Sequence, residues 1–206
     1  MSNSNFTKYG CVMVLSGPSG CGKTSLLKRL ISDDPNITQS ISYTTREARE
    51  GEIDGVDYYF TNQEDFETML SNDELLEYTE IYGNFYGTPK KAIEKKINSG
   101  QDVVFDIDSF GAKAIKSKLP NNTFTIFILP PSHQELTKRL KGRAQDSEDT
   151  INKRLNSARE QIQTMHEYDY IIVNDKLDIA YAELKAILTA ERLKRSRITN
   201  LESLDW

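Results

Sequence analysis

The feature that most constrains this chain is a glycine-rich loop placed between an apolar run and a helical pattern. Residues 11–16 are almost entirely apolar, residues 17–24 match G-x-x-x-x-G-K-S/T, and residues 25–31 carry apolar side chains at helical spacing. A buried strand, a phosphate-cradling loop and a helix start occur in this order in a P-loop. The sequence therefore predicts a strand, loop and helix that together hold a nucleotide phosphate chain.

Each residue type in the loop has a separate physical purpose. Glycine permits backbone angles that a Cβ forbids, and it lets successive N–H groups approach phosphate oxygens. Lys23 is expected to reach the β- and γ-phosphates, and the Thr24 hydroxyl is expected to ligate Mg²⁺. A glycine turn of purely structural purpose requires neither side chain. The predicted triphosphate contacts are Gly17, Pro18, Ser19, Gly20, Cys21, Gly22, Lys23, Thr24 and Ser25.

Composition narrows the class of protein. The 206 residues suit one domain with small insertions, and 26 Lys and Arg against 31 Asp and Glu give a formal net charge of -5. That balance argues against a general nucleic-acid binder, so any anion site must be built locally. Cys11 and Cys21 form neither a disulfide framework nor a metal set, which favours a reducing cytoplasm. Residues 1–9 lack the pattern of a secretory signal, and no apolar run approaches the roughly 20 residues of a membrane span.

Near-continuous apolar runs predict the core. The runs at 103–107, 123–129 and 170–174 are typical of parallel strands covered on both faces. Helices are predicted between them; one opens with a capping box at 132–135, and another runs from Thr88 as N-cap and Pro89 to about 99, ending at Gly100. The fold class is therefore α/β, with a doubly wound parallel sheet flanked by helices.

Two segments depart from this alternation. Residues 37–45 are predicted to be a strand, and 46–87 are polar and rich in tyrosine, with strands at 57–60 and 75–82, a helix at 63–70 and a turn at 83–84. They suggest a small mixed insertion. A basic stretch then precedes a long helix beginning near Thr150. It is either a solvated helix face or, as the P-loop favours, an arginine-bearing lid hinged near Gly142.

The insertion indicates which protein family the sequence resembles. Residues 42–46, 49–52 and 55–60 closely resemble the nucleoside-monophosphate-binding segment of guanylate kinases, as do 76–77, 83–88, 106–108, 139–154 and 172–175. The resemblance runs from about 11 to 192 in family order. It implies a P-loop kinase core at 1–41, 89–134 and 165–206, a GMP-binding subdomain at 42–88 and a helical lid at 135–164.

The resemblance also implies an activity. It is ATP- and Mg²⁺-dependent phosphoryl transfer to GMP, and to dGMP, giving ADP and GDP by direct in-line transfer during guanine nucleotide recycling. The GMP phosphate oxygen is already anionic, so no general base is required, and His133 and His166 are expected to be surface or helix-end residues. The expected partners are ATP and GMP, without nucleic acid or membrane, in a monomer or homodimer.

Site residues follow from the resemblance position by position. It assigns the GMP phosphate to Arg46, Arg49, Tyr58 and Tyr86, and guanine to Glu77, Ser42 and Thr88, with Asp108 near the amino group. Two guanidinium forks suit a phosphate dianion, and a carboxylate suits the N1–H and amino donors of guanine. By local pattern alone, Glu77 is instead an exposed strand residue, and strand tyrosines more often belong to a core.

Other assignments keep alternatives open. The residues expected to stabilise the charge that moves from donor to acceptor are Lys23, Arg46, Arg139, Arg143 and Arg154. Asp106 serves either Mg²⁺ or the acceptor nucleotide, and Asn174 is either an adenine-side residue or a local cap. Two rival functions remain: a kinase of the same fold with another acceptor, and a non-catalytic guanylate-kinase-like interaction module.

Overall fold

A computed structural model describes residues 7–81, 83–142 and 148–199. The strands are β1 (Thr7–Lys8), β2 (Val12–Ser16), β3 (Ile37–Gln39), β4 (Tyr43–Thr44), β5 (Tyr59–Phe60), β6 (Leu75–Ile81), β7 (Asn84–Pro89), β8 (Asp102–Asp106), β9 (Thr123–Leu129), β10 (Tyr170–Val173) and β11 (Ile198–Thr199). The helices are α1 (Lys23–Asp33), α2 (Gln63–Ser71), α3 (Lys90–Asn98), α4 (Ser109–Lys118), α5 (His133–Lys141), α6 (Glu148–Gln163) and α7 (Leu177–Arg192). Short 3₁₀ turns occupy Met165–Glu167 and Arg195–Arg197.

The core is a five-stranded parallel sheet in the order β10-β9-β2-β8-β3. One face packs Met13 and Leu15 of β2 against α1 and α7, and the other packs Val12 and Val14 against α3 and α4. Because both faces are buried, the strands need apolar residues at successive positions. The predicted parallel sheet flanked by helices is confirmed, and its carboxyl edge gathers the loops that follow β2, β8 and β10.

The insertion forms its own four-stranded sheet in the order β5-β4-β7-β6. β4 pairs with β5 in parallel and with β7 antiparallel, and β6 and β7 form a hairpin that turns at Gly83, where φ is +77°. Phe66 of α2 stacks on Phe85 at 5.5 Å between ring centroids. A Cβ on Gly87 would lie 2.7 Å from Leu75 and 2.9 Å from Phe66, so a larger residue there would displace one of these side chains.

Two strands near and within the insertion differ from the predicted strands. The predicted strand at 37–45 is two strands in different sheets, because the chain leaves β8 after Ser40, whose N–H donates to Val104 O at 2.9 Å. The predicted strand at 57–60 is shortened to β5. The predicted helix at 63–70 is found, and the predicted strand at 75–82 is found as far as Ile81, because Tyr82 lies outside the described residues. Of the turn predicted at 83–84, Asn84 already belongs to β7.

The start of α3 also differs from the prediction, whereas its end does not. β7 continues through Thr88, and Pro89 is the N-cap rather than the first helical residue. The Thr88 hydroxyl donates to Glu77 instead of capping the helix. At the other end Gly100 has φ +82°; its N–H and that of Gln101 donate to Ile97 O and to Lys96 O, as in a Schellman cap.

Helices α5 and α6 form the segment predicted to be a lid. Ser132 caps α5 by accepting from the Glu135 N–H at 3.1 Å, although the Glu135 carboxylate accepts from Arg139 rather than returning to Ser132. Leu136 and Leu140 pack against Ile151 and Ala158 of α6 in a separate apolar cluster. The long helix begins at Glu148, two residues before the predicted start, and Arg143 lies outside the described residues.

Beyond the predicted family segment, residues 193–199 pack against the amino edge of the sheet. Strand β11 pairs with β1, and Arg197 is 1% exposed beside the fully buried Glu191 at 3.1 Å. Tyr170 donates to Glu191 at 2.7 Å, and Arg197 donates to Asn122 O at 2.7 Å. This charged network lies at the starts of β9 and β10, opposite the P-loop.

Candidate active site

The loop after β2 has the backbone geometry of a phosphate cradle. Gly17, Gly20 and Gly22 have φ values of +138°, +89° and +98°. A Cβ on Gly17 would lie 2.3 Å from Ile128 O, and a Cβ on Gly22 would lie 2.2 Å from the Asn174 side-chain nitrogen. Glycine is therefore required at these positions for both conformation and space.

The loop opens onto a cavity of 370 Å³ lined by Lys23, Thr24, Asp106, Asp108 and Tyr168 among others. Lys23 Nζ donates to Gly17 O at 2.7 Å and lies 3.8 Å from Asp106 Oδ1. Helix α1 begins at Lys23, so its positive end also faces the cavity. The cavity is therefore lined by a cation, the glycine-rich loop and a helix N-terminus, a combination that suits an anionic ligand.

Oxygen ligands for a divalent cation are sparse in this cavity. Burial raises the pKa of Asp106, and the neighbouring Lys23 ammonium partly opposes that shift. Within the described ranges, no group of three His, Cys, Asp or Glu side chains could hold a metal ion. Thr24 and Asp106 are hard oxygen donors that suit Mg²⁺, which commonly takes one or two protein ligands together with substrate phosphates.

A second cavity of 320 Å³ lies on the other side of the loop. It is lined by Gly20, Gly22, Ser25, Arg139, Asn174, Asp175 and Leu177. Asn174 Nδ2 donates to Cys21 O at 2.8 Å, and Arg139 Nη1 donates to Asn174 O at 3.0 Å. The structure thus joins the predicted arginine of α5, the residue after β10 and the P-loop.

Three of the four predicted acceptor-phosphate residues converge on the insertion. The Arg46 guanidinium carbon lies 5.5 Å from the centre of the Tyr58 ring, and the Tyr58 and Tyr86 rings are 5.8 Å apart. Arg49, the fourth, has an exposed side chain and joins the cluster through its main chain, as its N–H donates to Glu52 at 2.8 Å. The structure therefore gathers cationic and phenolic donors on one surface.

Glu52 belongs to this cluster, although no role is predicted for it from the sequence. Its two oxygens accept from Arg46 Nη2 at 2.8 and 2.9 Å. The Glu52 carboxylate raises the pKa of Arg46, while the Arg49 N–H and the Arg46 guanidinium hold the pKa of Glu52 below its usual value. The sequence signal for Glu52 is an acidic residue six positions after Arg46, within the segment that resembles guanylate kinases.

Three of the four predicted base-reading residues lie close together, namely Glu77, Thr88 and Asp108. Glu77 Oε1 accepts from the Thr88 hydroxyl at 2.6 Å, and Thr88 is fully buried. Burial raises the pKa of Glu77 despite the Thr88 hydrogen bond, and the nearby Asp108 carboxylate raises it further. The interpretation of Glu77 as an exposed strand residue is therefore wrong. Asp108 caps α4 by accepting from Gly111 N–H at 2.9 Å, and Ser42 O accepts from Tyr59 N–H at 2.9 Å.

The remaining predicted residues are less closely gathered. Arg154 lies partly buried on α6, and Arg143 falls outside the described residues. His133 is the first residue of α5, and His166 lies in a 3₁₀ turn; both are exposed, as expected of surface residues. Asn174 does not cap α7, whose N-cap is Lys176 without a side-chain hydrogen bond. The alternative of a helix cap at Asn174 is therefore wrong.

Together, the parallel sheet, the phosphate cradle and the separate arginine-bearing insertion define a P-loop nucleotide-binding protein with a second, smaller sheet. The family model described as guanylate kinase matches residues 9–191. The chain is 45% identical to a guanylate kinase of Rhizobium meliloti, over 96% of this chain and 90% of that protein. It is 48% identical to one of Carboxydothermus hydrogenoformans, over 92% of each.

A solved structure shows the same similarity in three dimensions. The crystal structure of guanylate kinase from Anaplasma phagocytophilum superposes with a TM-score of 0.74 at 36% identity, covering 97% of this chain and 95% of that one. The chain belongs to the guanylate kinase family, and it is an enzyme of the nucleoside monophosphate kinase class. No helix in the described part of the chain is long and apolar enough to cross a membrane.

Proposed function

We propose that the chain transfers a phosphoryl group from ATP directly to GMP, and to dGMP, giving ADP and GDP. Membership of the guanylate kinase family supports the reaction. The observation that carries the proposal within the structure is the position of Asp108, which lines the P-loop cavity and accepts from the N–H of Gly111, where a Cβ would lie 3.6 Å from Glu77 Oε2. The guanine-reading group therefore adjoins the cavity that would hold the phosphates being transferred.

The donor half of the site is assigned to the P-loop. Its N–H groups, the start of α1 and Lys23 would bind the triphosphate. Thr24 and Asp106 would hold Mg²⁺, which neutralises phosphate charge and orients the phosphates when bound. We assign charge stabilisation during transfer to Lys23 together with the lid arginines Arg139, Arg143 and Arg154.

The acceptor half is assigned to the insertion. Arg46, Arg49, Tyr58 and Tyr86 would bind the GMP phosphate. Both oxygens of Glu52 accept from Arg46 Nη2, which orders the guanidinium and supports its assignment as an anion-binding group. The cluster is therefore suited to orient a phosphate oxygen toward the P-loop cavity.

Guanine recognition follows from the hydrogen-bonding capacity of Glu77. The Thr88 hydroxyl donates to Glu77, so it orients the carboxylate, whose remaining lone pairs would accept from guanine N1–H and the 2-amino group. Ser42 would then donate to O6, and Asp108 would accept from the amino group. Adenine presents an acceptor at N1, which would leave the Glu77 carboxylate unpaired and repelled.

The chemistry requires positioning rather than proton abstraction. The GMP phosphate oxygen is an anionic nucleophile, and both described histidines are exposed and outside the two cavities. Closure of the lid over the two nucleotides would exclude water, which otherwise competes as acceptor. The arrangement therefore supports direct transfer without a covalent enzyme intermediate.

An acceptor panel tests the proposal. ADP release is measured with ATP and Mg²⁺ together with GMP, dGMP, AMP, CMP, UMP or TMP. GMP and dGMP should support turnover, and the other four should not. Equal rates with AMP would overturn the guanine assignment, and failure of every acceptor would favour the non-catalytic module.

Cellular context completes the proposal. We assign the enzyme to the cytoplasm because its substrates are nucleotides and both described cysteines are free thiols. A monomer or homodimer stays a prediction, and sedimentation of the purified protein would distinguish the two.

A further inference from the structure

The side chain of Asn174 is fixed against the backbone of the P-loop. Asn174 directly follows β10, is 5% exposed, and is anchored by its N–H, which donates to Leu129 O at 2.8 Å. Its side-chain Nδ2 donates to Cys21 O at 2.8 Å. A Cβ on Gly22 would lie only 2.2 Å from Nδ2, so the absence of a side chain there makes room for the amide.

The hydrogen bond acts on one peptide unit of the cradle. In a planar trans peptide the C=O and N–H groups point in opposite directions. Holding Cys21 O on Asn174 therefore directs the Gly22 N–H away from Asn174. Gly22 lines both cavities, so its N–H is turned from the second cavity toward the one where Lys23 and Thr24 lie.

Asn174 is itself held by the base of the lid. Arg139 Nη1 donates to Asn174 O at 3.0 Å, and the Arg139 Nε donates to Glu135 at 3.1 Å on the same helix. On the adjoining side, Leu136 and Leu140 of α5 would lie 3.2 and 3.1 Å from a Cβ on Gly20. Helix α5 thus supports the loop directly at Gly20 and indirectly through Asn174.

We infer that Asn174 is a positioning residue for the triphosphate cradle, acting through the Cys21–Gly22 peptide rather than by reading the adenine base. The inference rests on the proposed function only in taking the P-loop as the donor site. It predicts that removal of the amide weakens polyphosphate binding regardless of the attached base, and leaves the acceptor arm unaffected.

The test is titration calorimetry of Asn174→Ala with MgATP, MgGTP, inorganic tripolyphosphate and, separately, GMP. Loss of one buried hydrogen bond should weaken all three polyphosphates by a common factor of about tenfold. GMP affinity should stay unchanged. The matched control is Asn122→Ala, because Asn122 Nδ2 also donates to a main-chain carbonyl, that of Gly10, at the opposite edge of the sheet.

Three results would overturn the inference. Weaker binding of ATP with unchanged GTP and tripolyphosphate would make Asn174 a base-reading residue. Unchanged binding of all ligands would remove it from the site, and a parallel loss of GMP affinity would indicate general structural damage. Asn174→Ser serves as the second variant if the alanine protein does not fold.

The binding experiment separates this inference from the proposed reaction. Tripolyphosphate and ATP affinities are measured without turnover, so a wild-type chain inactive on GMP would refute the reaction while leaving the Asn174 comparison interpretable. Conversely, an active enzyme whose Asn174→Ala variant binds every polyphosphate normally would refute only the positioning role.

Discussion

Replacement of Glu77 by glutamine tests the guanine-binding assignment most directly. The change keeps the side-chain volume and leaves one oxygen to accept from Thr88, which now lies 2.6 Å from Glu77 Oε1. It removes the negative charge and substitutes an NH₂ donor where guanine also presents donors. The expected defect is therefore electrostatic and confined to the acceptor base.

The magnitude follows from the hydrogen bonds that are lost. A hydrogen bond to a charged group contributes about 1.5 to 3 kcal/mol, so kcat/KM for GMP should fall roughly 10- to 150-fold. The KM for ATP should change little, because the P-loop does not contact Glu77 in the described structure. Initial rates of ADP release, with each substrate varied while the other is saturating, separate the two effects.

A comparison of GMP with IMP sharpens the assay. IMP lacks the 2-amino group, so it forms fewer hydrogen bonds with the carboxylate, and the GMP preference over IMP should shrink in Glu77→Gln. Glu80→Gln is the matched control, because Glu80 is exposed on the same strand β6. Equal losses with GMP and ATP, or an equal defect in the control, would refute the reasoning.

The remaining predictions concern Lys23 in the donor site, the buried Arg197, and the pH dependence of stability at Glu77. Lys23→Met should lower kcat by orders of magnitude with an unchanged melting temperature, whereas Lys28→Met on the exposed face of α1 should retain activity. Arg197→Met should lower the free energy of unfolding in urea by about 1.5 to 3 kcal/mol, because it removes the buried guanidinium beside Glu191 and leaves Lys194 as the cation paired with that carboxylate, whereas exposed Arg195→Met should not. Because burial raises the pKa of Glu77, folding favours its protonated form; that stabilisation is complete below the ordinary value of 4.5 and is lost as pH rises through the folded pKa. Glu77→Gln should therefore melt higher than wild type at pH 7, and this difference should disappear below pH 4.5.

Each of these has a clear contrary result. Normal turnover in Lys23→Met would contradict the P-loop assignment, and equal urea midpoints for the Arg197 and Arg195 variants would contradict the buried ion pair. A melting difference between Glu77→Gln and wild type that persists at acidic pH would show that something other than ionisation separates the two proteins.

The amino-acid sequence by itself determined the features that depend on neighbouring residues. The loop between β2 and α1 needs glycine for its positive φ values, the strands at 103–107 and 123–129 need apolar residues for two buried faces, and Ser132 caps α5 within one helical turn. Each of these signals spans only a few residues, so it can be recognised in the sequence before the fold is known. The family resemblance then selected Arg46 and Glu77 for the acceptor arm.

Only the tertiary structure decided which distant groups meet. The sequence predicts that Thr88 caps α3, but its hydroxyl donates to Glu77 across the β6–β7 hairpin. Asn174 donates to the carbonyl of Cys21, 153 positions earlier in the chain. Arg197 donates to Glu191 and to Asn122 O at the amino edge of the sheet. A polar side chain that is buried on folding needs a hydrogen-bond partner. The layers packed around it decide which partner is available, and adjacent residues in the sequence do not.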